Sequence, residues 1–207
     1  MKVVLLSHTP DPERVCCAAA KLTHEPEERD FMEMYKNLDR EHMERVLGVV
    51  LRLGHESVVE HASFTFYIEG VSRALTHQLV RHRIASYSQQ SQRYVRLKNF
   101  SYVTPPRIEK DPGLRERFEK TMERLADEYE RLLVDVPPED ARYVLPNACT
   151  TKIVVTMNAR ELRHFFRLRL HRTAQWEIRE LARRMYEECM RVAPLLFRDI
   201  PPEGTGK

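Results

Sequence analysis

No glycine-rich phosphate loop can be drawn anywhere in this chain. Its 207 residues hold only six glycines, and neither G-x-G-x-x-G nor a Walker sequence occurs. Such loops need glycine so that the backbone can turn tightly and come close to a phosphate. A Rossmann site and a P-loop are thereby excluded, and any nucleotide has to be held by side chains. Arginine is the side chain to follow. Formal net charge is only +3, but Lys is scarce and Arg supplies most of the basic count. Arginine presents a planar fork that matches phosphate and carboxylate oxygens, whereas lysine acts as a point charge. Base composition, or heat stability through ion pairs, explains the same bias, so local clusters have to decide.

The hydrophobic pattern changes period along the chain. "KVVLL" reads as a short buried strand, and "PERVCCAAAKL" as a helix behind an N-terminal proline. "LDREHMERVLGVVLRLGH" repeats apolar residues at helical steps, with acidic residues early and Gly54 available as a stop. "ASFTFYIEG" alternates, with Phe64, Phe66 and Ile68 on one face of a strand. Ser72 can cap "RALTHQLVRHR", which puts Leu75 and Leu79 on one side and Gln78 and Arg81 on another. The polar stretch "RHRIASYSQQSQRY", residues 81–94, therefore leaves a helix end and continues as a loop. "RYVRLKNFSYV" looks extended.

"DPGLRERFEKTMERLADEYERLLVD" is a long charged helix that Pro137 and Pro138 end, and a short turn carrying Arg142 follows. "TTKIVVTMN" is a β-branched strand, and "ARELRHFFRLRLH" and "TAQWEIRELARRMYEECMRV" are two consecutive helices. The expected fold is α+β. One domain over 1–200, a small and mainly antiparallel sheet packed with long helices, carries a flexible tail at 201–207.

No apolar run approaches the roughly 18 residues needed to cross a bilayer. The N-terminal apolar stretch, about five residues, is too short for a signal peptide. A cytoplasmic protein is expected. Cys16 and Cys17 are adjacent, Cys149 and Cys189 stand alone, and no C-x-x-C pair exists, so reduced and buried thiols are expected rather than a metal or redox motif.

Three chemistries compete for the polar residues. "GHESVVEHASF" suggests zinc, but H-E-x-x-H fails at Val59 and H-x-x-E-H fails at Ser57. Nucleophilic serine is disfavoured because no G-x-S-x-G elbow surrounds Ser86, Ser88 or Ser91 and no third member orients a base. Flanked by Arg81, Arg83 and Arg93, a serine hydroxyl is better placed to donate to an anion. "DARYVLPNA" adds Arg142, and "NARELRHFFRLRLHR" gathers Asn158, Arg160, His164 and Arg169. The alternating Arg and Leu of "RLRLHR" point some arginines inward, where each needs an anionic partner.

These residues resemble the flavin-dependent thymidylate synthases. Arg81-His82-Arg83, seven residues, then Ser91 with Arg93 two beyond, is that family's signature. "GHESVVEHASFTF" upstream, and "ARYVLPNA", "NARELRHF" and "LRLHRTAQWEI" downstream, follow in the expected order over roughly residues 45–190. The resemblance implies FAD-dependent reductive methylation of dUMP to dTMP. The carbon comes from 5,10-methylenetetrahydrofolate and NADPH is the reductant. It also implies a homotetramer with FAD between subunits, and no nucleic-acid or membrane partner. Carried over by position, Ser57, Arg81, His82, Arg83, Gln89, Asn158, Arg160 and His164 would touch FAD. Gln78, Leu79, Val80, Arg81, Gln89, Gln90, Ser91, Gln92, Arg93, Arg142 and Arg169 would touch dUMP. No metal is implied.

Arg93, Arg142 and Ser91 suit a dianionic phosphate. Arg169 against the uracil carbonyl edge would stabilise charge on N3, O2 and O4 and so raise nucleophilicity at C5, which makes it the catalytic residue. Cys149 lacks an activating neighbour in sequence and is read as structural. The chain departs from the family pattern at Gln89, where many members carry Glu, and at His164, where many carry Asn. Two other readings stand beside this one. One is an RNA-binding helical protein using arginine helices with Tyr87 and Tyr94 exposed. The other is a metal-dependent nucleotide hydrolase built on His55, Glu60 and His61.

Overall fold

The structure, a computed structural model, describes residues 1–23 and 30–202. In chain order its elements are β1 (Lys2–His8), α1 (Pro12–Leu22), α2 (Phe31–Lys36), α3 (Arg40–Arg52), a 3-10 turn (Glu56–His61), β2 (Ser63–Ser72), α4 (Arg73–Leu79) and β3 (Ala85–Gln89). Then follow α5 (Pro106–Glu109), α6 (Pro112–Asp135), α7 (Pro138–Ala141), a second 3-10 turn (Arg142–Val144), β4 (Thr150–Asn158), α8 (Ala159–Arg169), α9 (Trp176–Val192) and α10 (Pro194–Phe197). The architecture is α+β, with one antiparallel sheet in the order β1-β2-β4-β3. Of the expected tail at 201–207, residues 203–207 lie outside the described residues.

Helix starts follow local chemistry. Asp39, Ser72, Asp111 and Asn158 each accept a first-turn backbone N–H of α3, α4, α6 and α8 with their side chains. Such a cap satisfies a donor that has no partner inside the helix. Beyond α3, Gly54 has φ +76, a left-handed conformation that glycine adopts without strain.

The chain packs as two compact units. One comprises 3–67, 82–87 and 155–207. In it α8 packs on the 3-10 turn at Glu56–His61 and on α9, while α10 packs on α3 and α9. Phe64 and Phe66 of β2, Leu162, Phe165 and Phe166 of α8, and Phe197 of α10 are all wholly buried. Phe64 and Phe166 each meet the Phe197 ring edge-on at 5.6 Å. The other unit comprises 1–2, 68–81 and 88–154, with α6 laid over a cluster of Phe100, Met122 and Cys149.

Three segments differ from expectation. β1 is not buried, because it ends the sheet order and three of its seven residues, Leu6 among them, are exposed. "ASYSQ", expected as loop, is the strand β3 at the opposite edge. Its inward positions Ala85, Tyr87 and Gln89 are too mixed in polarity to advertise an alternation, and pairing with β4 makes the strand. "RYVRLKNFSYV", expected as extended, forms turns instead, with Val95 N–H donating to Ser91 O and a single bridge between Tyr102 and Cys149.

Candidate functional site

In the unit that holds α8, a buried polar chain runs through three residues. His82 is 3% exposed and Glu161 6%. The His82 Nδ1 lies 3.1 Å from Glu161 Oε1, and Arg169 Nε donates to His82 Nε2 at 3.1 Å. A guanidinium only donates, so Nε2 carries the lone pair and the single ring proton is on Nδ1, donated to the carboxylate. Burial first, then the electrostatic influence of Arg169 and His164, pulls the His82 pKa down to about 4, which keeps the ring neutral. The edge of the His82 ring arrangement is closed by Phe165 at 4.9 Å, and Tyr87 donates its hydroxyl to His82 O at 2.7 Å. Tyr87, expected as an exposed aromatic, is therefore half-buried and anchored.

Arg169 is half-buried, and burial lowers its pKa. Its Nε is used by His82, while its two terminal nitrogens meet no carboxylate or carbonyl among the described residues. A partly desolvated cation of this kind is costly unless something electron-rich completes it.

Around this chain stand the other residues expected at a cofactor. Asn158 spends its Oδ1 on Glu161 N–H, at 2.9 Å, and so has only its amide N–H groups to offer. His164 is exposed, its ring centroid 5.6 Å from that of His82. Ser57 and Arg83 are exposed, and Arg83 has no ion-pair partner among the described residues. Arg160 is exposed too and pairs with Glu60. His82, Glu161 and His164 each bring a potential metal-ligating atom within 4.8 Å of the others. Both His82 nitrogens are already engaged by protein, so a cation there would have to displace Arg169 or the carboxylate. His55, Glu60 and His61, the set for a metal hydrolase, are exposed and form no such group among the described residues.

The other unit holds the anion-binding candidates. Arg93 pairs with Glu139 through Nε at 3.0 Å and through a terminal nitrogen at 2.9 Å, and Arg142 Nε donates to the backbone O of the same Glu139 at 3.0 Å. One residue thus gathers two arginines that lie far apart in sequence. Arg73, which sequence reasoning passed over, adds a third guanidinium. Burial lowers its pKa, and the charge of Arg142 adds to the effect. Its signal was present in the cap, since Ser72 starts α4 and places Arg73 at its first position. Ser91 accepts the Arg93 N–H at 3.1 Å and keeps its own hydroxyl proton to donate. Gln90 and Gln92 are half-buried, and Gln90 N–H donates to Lys152 O at 2.9 Å. Arg81 is exposed and unpaired among the described residues, Gln78 is half-buried and Val80 exposed. Leu79 is wholly buried, so its side chain is closed to a ligand.

The departure at Gln89 has a local cause. Gln89 Nε2 donates to Thr76 Oγ1 and Thr151 Oγ1, both at 3.2 Å. The Thr76 hydroxyl proton is already given to Arg73 O at 3.0 Å, so its neighbour must be a donor. An amide satisfies that requirement and an ionised carboxylate does not.

Cys149 is wholly buried, and burial pushes its thiol up to about 11 despite the charge of Arg73. All four cysteines are free and buried, as their spacing suggests. Arg169 of "RLRLHR" does point inward, to His82, and the wholly enclosed arginine is Arg163, whose partners are the chain's own Glu56 and Asp199.

The family model described as thymidylate synthase complementing protein matches residues 4–195. The chain is similar to the flavin-dependent thymidylate synthase of Geobacter sulfurreducens, with 53% identity over 98% of this chain and 88% of that protein. It is similar to the one from Clostridium tetani at 50% identity, over 98% of this chain and 87% of that protein. The Pyrococcus furiosus protein of the same name is 48% identical over 91% of this chain and 78% of its own length.

Proposed function

This chain belongs to the thymidylate synthase complementing protein family and is an enzyme of the flavin-dependent thymidylate synthase type; we propose that it methylates dUMP to dTMP. In this reading 5,10-methylenetetrahydrofolate donates the carbon, NADPH is the reductant and FAD is the cofactor. The observation that carries it is Arg169, a half-buried cation held by His82 with two terminal nitrogens left for a ligand.

The donor set fits FAD. Arg83, Ser57, His164 and the Asn158 amide present donors without protein acceptors among the described residues, and Arg81 does so in its own unit. An anionic pyrophosphate and a flavin ring need donors of this kind. Arg160 joins by exchanging its exposed Glu60 partner, a pairing worth little in water. Bound FAD supplies the redox and one-carbon chemistry, as cofactors do.

The chain's own residues bind and polarise. Arg93, Arg142 and the Ser91 hydroxyl take the dUMP phosphate, with Arg73 adding positive potential. Gln78, Gln90, Gln92 and the end of α4 at Leu79 and Val80 border the rest of the nucleotide. Gln89, its nitrogen fixed by two threonines, turns its carbonyl oxygen to the ligands. Arg169 donates to the uracil carbonyl edge and stabilises the negative charge that grows as C5 becomes nucleophilic. Cys149, buried and protonated, takes no part. A homotetramer with FAD between subunits, in the cytoplasm and without nucleic-acid partners, completes the reading.

The test uses purified protein. It should be yellow, or become so with FAD, and should release tritium from 5-labelled dUMP when folate and NADPH are supplied. Arg169→Ala should cut that release by about 10²- to 10³-fold, the usual effect of removing a donor to a developing oxyanion. A colourless protein that FAD cannot reconstitute would overturn the reading.

A further inference from the structure

Glu161 is the member of the buried chain to which neither the family resemblance nor the comparisons give a role. Resting on the role of Arg169 above, we propose that Glu161 is a positioning residue that acts through His82: it holds the imidazole as the Nδ1–H tautomer, so that the free Nε2 lone pair grips Arg169 and aims its terminal nitrogens at the substrate.

The donor and acceptor inventory leaves little choice. Arg169 Nε–H needs an acceptor, and the His82 Nε2 at 3.1 Å is the one it has. A neutral imidazole with an unprotonated Nε2 must bear its proton on Nδ1, and that N–H needs an acceptor in turn. Glu161 Oε1, at 3.1 Å, is the acceptor present among the described residues. Remove it and the ring gains nothing by keeping its proton on Nδ1. Moved to Nε2, the proton would point at the Arg169 N–H and break the contact. Double protonation would set an imidazolium against a guanidinium.

The carboxylate is itself fixed. Its backbone N–H is held by the Asn158 cap, and it sits in the first turn of α8, where the unpaired N–H groups favour negative charge. The groups facing His82 are Arg169, His164 and Phe165 with Glu161 from α8, and Tyr87 from β3. Two of them are basic and, among the described residues, only Glu161 supplies an acceptor to the ring. A carboxylate that fixes an imidazole tautomer in this way is a recurrent device for keeping the ring's other nitrogen on task.

The experiment is a double-mutant cycle on the flavin-loaded enzyme, read as tritium release from 5-labelled dUMP, with dUMP affinity and flavin content measured on the same samples. Glu161→Leu should lower release by roughly 10- to 100-fold, as when the carboxylate orienting a functional imidazole is lost. Flavin content should stay within about threefold, and dUMP affinity should fall much less than the rate, because the phosphate contacts are untouched and the Arg169 contact counts most as charge grows at the uracil edge. Glu161→Gln keeps an acceptor oxygen and should recover most of the rate. In an Arg169→Ala background, Glu161→Leu should cost less than about twofold more, because residues acting through one group are not additive. A full additive loss, an unchanged rate in Glu161→Leu, or a glutamine variant no better than leucine would each overturn the proposal. Should the leucine variant not fold, Glu161→Asp, one methylene short of Nδ1, takes its place with the same outcomes. Retained release in Arg169→Ala would overturn the reading of Arg169 and this inference with it. Loss in Arg169→Ala with none in Glu161→Leu would overturn this inference alone.

Discussion

Asp199 grips both terminal nitrogens of Arg163, at 2.7 and 2.6 Å, and the arginine they belong to is wholly enclosed. Glu56 takes the Nε at 3.0 Å, and Leu196 O accepts from the same guanidinium. A buried cation is tolerated only when its donors are met this fully. The bidentate fork also ties the end of the chain, past α10, to α8.

Stability should therefore depend on the balance of charge more than on the pair itself. Arg163→Ala should cost about 3–5 kcal/mol in urea unfolding at fixed protein concentration. Asp199→Ala should cost more than Arg163→Met, because the first strands a buried cation and the second removes it. Equal costs for those two variants would show that packing, not desolvated charge, sets the effect.

Acid should loosen the fold through His82. Its pKa is depressed from 6.5 to about 4 by burial, then by the neighbouring Arg169 and His164, so the unfolded chain binds the proton more readily. The contribution is present in full above the ordinary histidine value and is lost as pH falls toward the folded one, ~3 kcal/mol across that window. Glu161 has the opposite sign: burial raises its pKa, so its own contribution is present at low pH and lost as pH rises. The unfolding free energy of the wild type minus that of His82→Gln, followed from neutral pH downward, should decline with acid. A flat difference would show that His82 is not held neutral by the fold.

Arg93 has a carboxylate partner within the chain. Its partner Glu139 is half-buried with its carboxylate open to water, and such solvated pairs contribute about 0–1 kcal/mol. Glu139→Gln should thus tighten dUMP binding by up to about fivefold in calorimetry, since the arginine no longer has to change partners. Arg93→Ala should weaken dUMP while leaving deoxyuridine, which has no phosphate, nearly unaffected. Equal weakening of both ligands would place Arg93 away from the phosphate.

Cys149→Ala should leave turnover within about twofold of wild type, because a buried thiol with a raised pKa has almost no thiolate to react. The same burial should make native enzyme slow to react with a soluble alkylating reagent. A dead alanine variant that still binds flavin and dUMP would return the chemistry to a protein nucleophile.

Much of the fold is legible residue by residue. Phe64, Phe66 and Ile68 announce a strand because alternation has a period of two that no helix shares, and all three are wholly buried. Ser72 marks the start of α4 because a short acceptor can meet an unpaired N–H without help from elsewhere. β3 was hidden because its residues become a strand only when β4 offers its edge. The turns after Ser91 were hidden for the converse reason: the aromatic and β-branched residues of "RYVRLKNFSYV" suit a strand, and no partner strand takes them up there.

The site divides along the same line. Residue types drew attention to the arginine clusters around Arg81, Arg93, Arg142 and Arg169, because an anion held without a glycine loop needs such side chains, and the family resemblance supplied the roles proposed for them. Spacing says nothing of Glu161 and His82, which meet across 79 residues, or of Arg163 and Asp199, which meet across 36. Those contacts exist because burial leaves each charge or donor no water to turn to, so the folded chain must supply the partner. The list of functional groups was set by the sequence itself. Tertiary structure alone decided which nitrogen of His82 keeps its proton, which arginine is enclosed and which is left open to a ligand.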